Sequence, residues 1–161
     1  MGLGVREIST LAHAVEALAR SARSTKDLAR WLAQREHPAE EIEAAIAKLT
    51  ARGMLNDAEY ALAFTRSRAL GRGMSRRRIS AELFRRGVAK ELVDSAIAEV
   101  MSDENIDERA MVEAAGAKKF RSLSKLEPDV QRRRLYGFLA RKGFASDLVR
   151  DTVKQLTAPS S

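Results

Sequence analysis

Three stretches of this chain carry the same spacing of aliphatic residues, and this repeat constrains the fold more than any other feature. From residues 28, 79 and 135 onward, Leu, Ile or Val stands at offsets 0, 4, 14, 18 and 21. Offsets 0 and 4 share one face of a helix, and offsets 14, 18 and 21 share one face of a second helix. The ten-residue gap between the two sets leaves room for a tight turn, so each copy predicts a helical hairpin. The positions are Leu28, Leu32, Ile42, Ile46, Leu49, Ile79, Leu83, Val93, Ile97, Val100, Leu135, Leu139, Val149, Val153 and Leu156.

A helical hairpin of this size cannot bury its apolar face alone, so neighbouring copies must share a core. One further helical segment precedes each hairpin, which predicts three helices per repeat. The repeats are residues 1–56, 57–106 and 107–161, the first with an N-terminal lead and the last fraying from Thr157. We therefore predict an all-α protein, in which tandem repeats of three-helix units form an elongated, curved array. Such a shape is typical of proteins that bind along a long partner.

Residues that favour helix starts support these boundaries. Ser24, Asp57 and Asp107 each precede a helical pattern. They are predicted N-caps, because a side-chain oxygen there can accept a backbone N–H of the first turn. We therefore interpret Asp57 and Asp107 as helix caps rather than as catalytic acids. Pro38 suits the first position of a helix, where no N–H is needed.

Glycines mark the helix ends. Gly53, Gly87 and Gly143 each follow a predicted helix, at the position where a left-handed residue commonly ends it. Gly87 and Gly143 stand at the same offset of the second and third repeats, whereas the first repeat has Glu36 there. This difference predicts a different turn in the first repeat, helped by Pro38.

Composition excludes several classes of protein. The chain has no cysteine, so it can form neither a disulfide framework nor a thiolate metal site. Its two histidines, His13 and His37, lack a ligand cluster in the sequence. The segment Gly71–Gly73 resembles a fragment of a phosphate loop, but the Lys-Ser/Thr ending and the preceding strand are missing. We expect no catalytic residues, no cofactor, no metal and no small-molecule substrate.

The apolar content points to a soluble helical protein. Apolar residues make up 45% of the chain and aromatic residues only 5%, which favours a thin helical core over strands. No apolar stretch is long enough for a signal peptide or a membrane span. The expected compartment is the cytoplasm, with no membrane partner, and the expected state is a monomer.

The positive charge is concentrated in two segments. The 29 Lys and Arg residues oppose 22 Asp and Glu, which gives a net charge of +7. Residues 66–90 hold nine basic side chains against Glu82 alone, and residues 118–142 hold nine against Glu127 and Asp129. A field of this kind favours a polyanion or an acidic protein surface as partner.

The middle repeat predicts a basic ridge. Arg78 and Arg85 lie within about 20° of each other on the helix, at about 100° per residue, and away from the apolar stripe. Arginine recurs at the same offsets of the third repeat but not of the first. The candidate partner-binding residues, which include the neighbouring cations, are Arg66, Arg68, Arg77, Arg78, Arg85, Lys118, Lys119, Arg133, Arg134 and Arg141.

An ordinary solvated basic face is the alternative interpretation of these cations, and their recurrence in two repeats favours binding. Arg66 and Arg68 could extend the ridge, or they could serve a helix terminus or an intramolecular salt bridge. Phe84 and Phe138 adjoin apolar positions of the repeat, so packing is favoured over base stacking.

Five segments, taken in order, match a known family. Ala19–Ser24, Arg52–Asp57, Phe64–Arg68, Glu82–Gly87 and Phe138–Phe144 together resemble the RecX family, bacterial regulators of the RecA recombinase. The resemblance spans nearly the whole chain. Each segment is a short helical string, and their order and agreement with the repeat make the match specific.

The resemblance implies a non-enzymatic regulator that lies in the helical groove of the RecA–DNA filament. Such a protein contacts neighbouring RecA protomers and thereby damps ATP hydrolysis, strand exchange and co-protease activity. Weak contact with single- or double-stranded DNA through the basic ridge stays open. Two other classes also stay open: a helix-turn-helix DNA-binding protein, and a helical scaffold that binds an unrelated acidic protein.

Overall fold

The structure, a computed structural model, describes residues 9–159, and the regular secondary structure in that range is helical. Within it lie nine α-helices and no strand. The fourth helix continues as a π-helical segment, Ser67–Gly71. The helices are α1 Thr10–Arg20, α2 Thr25–Ala33, α3 Ala39–Ala51, α4 Asp57–Arg66, α5 Arg76–Arg85, α6 Lys90–Asp103, α7 Glu108–Ser122, α8 Pro128–Arg141 and α9 Ser146–Leu156.

The helices group in threes along the chain, as the repeat predicts: α1–α3, α4–α6 and α7–α9. The prediction of an all-α fold built from three-helix repeats is confirmed. The predicted N-terminal lead falls largely on residues 1–8, and the predicted frayed end includes residues 160–161. Both of these segments lie outside the described residues.

The fifteen aliphatic positions form the interior. Thirteen of them are buried, and only Ile46 and Leu156 are half-buried, each packed at the edge of a core. Burial of a Leu, Ile or Val side chain contributes roughly 1.5–3 kcal/mol each, so this pattern supplies a large part of the driving force for folding. The spacing read from the sequence therefore corresponds to the buried face of the helices.

The chain divides into two compact units that cut across the middle repeat. Within residues 9–159, the first unit comprises the chain up to Ala61 together with Leu83–Val93, and the second comprises Leu62–Glu82 together with the chain from Asp94 onward. The core of the first unit includes Ala14, Ala17, Leu28, Leu32, Ile42, Leu49 and Leu55. The core of the second includes Val112, Leu123, Leu135, Leu139, Phe144, Val149 and Val153.

The predicted N-caps are partly confirmed. The Ser24 side chain accepts the N–H of Asp27, and the Asp107 side chain accepts the N–H of Arg109. The prediction for Asp57 is wrong, because Asp57 is already the first residue of α4. Asn56 is the cap instead, and its side-chain oxygen accepts the N–H groups of the two residues after Asp57.

Pro38 also differs from its predicted place. It is the N-cap of α3 rather than the first helical residue, with φ −61° and ψ 141°. Its carbonyl oxygen accepts the N–H of Ile42 at 3.0 Å, which is the first bond of the helix. The cap position suits proline because its extended ψ and its lack of an N–H cost nothing there.

The turn after α2 is the same as in the other repeats, so the prediction of a different turn at Glu36 is wrong. Glu36 has φ 63°, in the left-handed region where Gly87 has φ 76°. Glu36 N–H donates to Ala33 and His37 N–H donates to Leu32, as the two residues at and after Gly87 do to the end of α5. The turn forms here without glycine, at a cost of roughly 1–2 kcal/mol.

The two phenylalanines differ from each other. Phe138 is half-buried and packs against the core of the second unit, as predicted. Phe84 is 45% exposed, so its predicted packing is wrong. It follows the buried Leu83 by one residue, and one residue on a helix turns the side chain about 100° away from the core.

Candidate partner-binding surface

Four basic residues of the second unit lie beside a hydrogen-bonded contact, here called a joint, between the start of α5 and the end of α8: Arg72, Arg78, Arg141 and Lys142. The fully buried Ser75 accepts the N–H of Arg78 at 3.2 Å and donates its hydroxyl to the carbonyl oxygen of Lys142 at 3.2 Å. Arg78 Nη1 donates to the carbonyl oxygen of Arg141 at 2.9 Å. Gly143 permits the close approach, since a Cβ there would lie 2.7 Å from Ser75 Oγ. The carbonyl oxygens of Arg141, the last residue of α8, and of Lys142, which follows it, are thus satisfied by Arg78 of α5 and by Ser75, which precedes α5.

An equivalent joint occurs inside the first unit, between the start of α2 and the end of α5. The buried Ser24 donates to the carbonyl oxygen of Arg86. Arg30 Nη1 donates to the carbonyl oxygen of Arg85 at 2.9 Å. Asp27 forms an ion pair with the Arg86 side chain at 3.7 Å.

An acidic side chain completes each joint. Thr25 N–H donates to the Asp57 carboxylate at 2.8 Å in the first unit, and Arg76 N–H donates to the Glu108 carboxylate at 2.9 Å in the second. Each carboxylate therefore accepts a free N–H of a helix N-terminus, where negative charge is favourable. This is the role that Asp57 has in place of the predicted cap.

Three candidate arginines make contacts within the protein. Arg66 Nε lies 3.2 Å from the Glu104 carboxylate. Arg68 and Arg78 both approach Glu82, at 3.7 and 3.6 Å, and Glu82 is only 14% exposed. Arg68 also lies over the Phe64 ring, which stabilises its half-buried guanidinium. Of the three roles considered for Arg66 and Arg68, these contacts favour intramolecular salt bridges.

Other candidates are exposed and have charged groups with no hydrogen-bond or ion-pair partner among residues 9–159. In the second unit these are Arg77, Lys118, Arg133 and Arg134. Arg85, in the first unit, is similar, since only its carbonyl oxygen is engaged. These charges remain available to an external anion.

The last two candidates lie beside Phe138. Lys119 Nζ is 5.2 Å from the centre of its ring. Arg141 is exposed, and its guanidinium lies back along α8, since a Cβ on Gly137 would be 3.0 Å from Arg141 Nη1.

A basic cleft of about 580 Å³ opens beside the joint of the second unit. Lys142 Nζ there donates to the carbonyl oxygen of Arg72 at 3.2 Å and lies 5.2 Å from the centre of the Phe138 ring. No carboxylate is among the described residues that line it, which are Arg72, Met74, Arg78, Phe138, Arg141 and Lys142. The sequence did not predict Arg72, Met74 or Lys142 as binding residues. Arg72 does lie in the segment Gly71–Gly73, which resembles a fragment of a phosphate loop.

The histidines meet in the first unit. His13 Nδ1 lies 2.7 Å from His37 Nε2, and His37 Nδ1 lies 2.9 Å from the Thr10 hydroxyl. Thr10 donates to Glu41 at 2.5 Å, so the chain of bonds ties α1 to the start of α3. No group of three or more potential metal ligands occurs among the described residues. Nor does any helix of residues 9–159 combine the length and apolar character that crossing a bilayer requires.

These features define the class: an all-α protein of tandem three-helix repeats with a strongly basic surface. Models of the three successive three-helix domains of RecX match residues 11–49, 56–97 and 107–153. The chain belongs to the RecX family.

Individual relatives agree with this assignment. The chain is 34% identical to the regulatory protein RecX of Streptomyces coelicolor over 133 residues, 83% of this chain and 69% of that protein. It is 35% identical to the regulatory protein RecX of Amycolatopsis mediterranei over 138 residues, 86% of this chain and 77% of that protein. The crystal structure of RecX from Lactobacillus salivarius shares the fold, with a TM-score of 0.72 at 18% identity over 91% of this chain and 94% of that one.

Proposed function

We propose that this protein binds the RecA–single-stranded DNA filament in its helical groove and mainly inhibits RecA ATPase, strand exchange and co-protease activity. It would thereby regulate recombination and the SOS response, acting as a cytoplasmic monomer without chemistry of its own. Membership of a family whose curated members are named regulatory proteins supports a regulatory role. The observation that carries the binding mode is the recurrence of exposed, unpaired arginines on α5 and α8.

Recurrence matters because a filament repeats the same surface. Arg77 and Arg85 on α5 correspond in the repeat to Arg133 and Arg141 on α8. Modules that carry the same charges can engage successive identical protomers, and each further contact becomes an intramolecular event with a high effective concentration. Inhibition then needs only occupancy of the groove and resistance to the protomer motions that accompany ATP turnover.

The helical position of Arg78 predicts a contact with the partner, but its side chain also makes contacts within the protein. Its guanidinium is 44% exposed but donates to the end of α8 and approaches Glu82. Reversing its charge would therefore disturb the joint as well as any partner contact. Arg85, Arg133 and Arg134 are better probes, since their side chains have no partner among the described residues.

The first experiment is co-sedimentation with RecA filaments formed on single-stranded DNA with ATP, together with RecA ATPase assays. We expect association with the filament and a fall in ATPase rate. A protein that leaves both unchanged at saturating concentration would disprove the proposal.

The second experiment reverses three exposed arginines together, Arg85→Glu, Arg133→Glu and Arg134→Glu. We expect filament inhibition to fall at least tenfold in potency while helical content is retained, because exposed substitutions change stability little. The matched control is Lys48→Glu, Arg52→Glu and Lys154→Glu, three exposed cations whose reversal changes the net charge by the same amount. If the control loses as much potency, net charge rather than this surface is responsible.

A further inference from the structure

The two joints have opposite electrostatics at corresponding positions. In the first unit, Asp27 neutralises Arg86 through their ion pair. The residues at the same offsets in the second unit are Arg78 and Lys142, which are both cationic and both line the basic cleft. The ion pair across the joint is thus replaced by two like charges. Arg78 also approaches Glu82 at 3.6 Å, but Glu82 does not line the cleft, and Arg72 and Arg141 add two more cations to it.

The cations of the cleft are held in place before any ligand arrives. Arg78 is fixed by its bond to the carbonyl oxygen of Arg141, and Lys142 by its bond to the carbonyl oxygen of Arg72. Holding cations together costs free energy unless an anion is present, and a cleft lined by one sign of charge concentrates its field. The ordering of these side chains is already accomplished in the free protein, which favours ligand affinity.

The chemistry of the lining points to phosphate. Arginine guanidinium groups match phosphate oxygens with paired N–H donors, and a lysine adds a point charge. The remaining lining comes from the buried Met74 and the half-buried Phe138. An apolar wall beside a cation cluster suits a sugar or base attached to a phosphate better than inorganic phosphate alone.

We propose that the basic cleft binds the phosphate of a nucleotide, either within a single polynucleotide strand or as a free nucleoside triphosphate. The cleft has no counterpart in the first repeat, where Ser21 and Asp27 occupy the positions of Arg72 and Arg78. This site goes beyond the proposed regulation of RecA, because its binding is a property of the protein alone.

The test measures binding of a fluorescein-labelled dT12 oligonucleotide by anisotropy, and competition by ATP, for the full chain without RecA. The variant Arg72→Gln plus Arg141→Gln removes two cleft charges whose side chains hold no helix end. The control variant Lys48→Gln plus Arg52→Gln removes two exposed charges that lie outside both the cleft and the candidate partner-binding residues. We expect the cleft variant to lose about tenfold or more in affinity, and the control less than about threefold.

The competition arms identify the source of the phosphate. Oligonucleotide binding that ATP does not displace assigns the cleft to a strand, and ATP binding with the same dependence on Arg72 and Arg141 assigns it to a free nucleotide. Equal losses in the cleft and control variants, or no binding of either probe, would overturn the proposal. So would a polyglutamate peptide that outcompetes both probes with the same variant dependence, because the cleft would then accept an acidic protein segment. The proposed filament inhibition is tested with a different variant, which changes Arg85, Arg133 and Arg134. The two proposals can therefore fail separately.

Discussion

Each of two serine hydroxyls forms hydrogen bonds with the ends of two helices. Ser24 and Ser75 are both fully buried, and each caps its own helix while donating to the last turn of another. A hydroxyl can do both because it is one donor and also an acceptor. The joints therefore depend on a single small side chain, and a residue without an oxygen would leave a backbone N–H and a carbonyl unsatisfied in a buried place.

Ser75→Ala is expected to lower the free energy of unfolding by about 1–3 kcal/mol. The substitution removes the cap on the Arg78 N–H and the donor to the Lys142 carbonyl, and leaving buried polar groups unpaired is costly. Urea denaturation followed by circular dichroism measures the change. Ser95→Ala, at an exposed position of α6, is the control and should change stability by less than about 0.5 kcal/mol. Equal effects of the two substitutions would mean that the joint contributes nothing to stability.

The helix ends show how packing and local preference compete at the scale of an element. Gly87 and Gly143 follow α5 and α8 with φ of 76° and 89°, and Glu36 takes the same turn after α2 with φ 63°. Glycine is favoured there because it has no Cβ to clash with the following carbonyl. Glu36 is exposed, and its carboxylate has no hydrogen-bond or ion-pair partner within residues 9–159. Nothing described compensates for its strain.

Glu36→Gly is accordingly expected to raise the free energy of unfolding by about 1 kcal/mol, since it relieves the left-handed strain without losing a contact. Thermal and urea denaturation both measure this gain. A loss of stability would show that the Glu36 side chain makes a contribution that its surroundings do not indicate.

Gly143→Ala is expected to lower the free energy of unfolding, and to lower it more than Gly53→Ala does. Both positions have positive φ, but a Cβ at Gly53 meets nothing within 4 Å, whereas at Gly143 it would lie 2.7 Å from Ser75 Oγ and 2.9 Å from Arg78 Cβ. We expect a cost of about 1 kcal/mol at Gly53 from strain alone. A larger cost is expected at Gly143, because the joint must also move apart. If urea denaturation shows the same loss of unfolding free energy for both substitutions, the joint does not contribute to stability.

For the whole molecule, local patterns proved to be the predictable part. The aliphatic spacing predicted the buried faces, and Gly87 and Gly143 predicted the helix ends, because each depends on residues within one or two turns. The joints were not predicted, since Ser75 and Lys142 lie far apart in sequence and one serine at a helix start signals only a cap. For the same reason the helical angle of Arg78 gave its exposure but missed its bond to the end of α8.

The exposed positive charge also predicts how binding should respond to salt. Association with naked duplex DNA through phosphate contacts releases counterions, so log K falls with a slope of about −0.9 per phosphate contacted. With about three contacts, affinity should fall roughly 40-fold between 50 and 200 mM salt. The affinity for naked DNA should not depend on sequence, because phosphate contacts carry no base readout.

Filament association should be less sensitive to salt, since protein contacts with neighbouring RecA protomers contribute to it. Parallel titrations of DNA and of filaments measure both slopes. Nanomolar binding to one duplex sequence, with RecA ATPase unaffected, would instead favour a helix-turn-helix DNA-binding protein, whose affinity depends on base contacts.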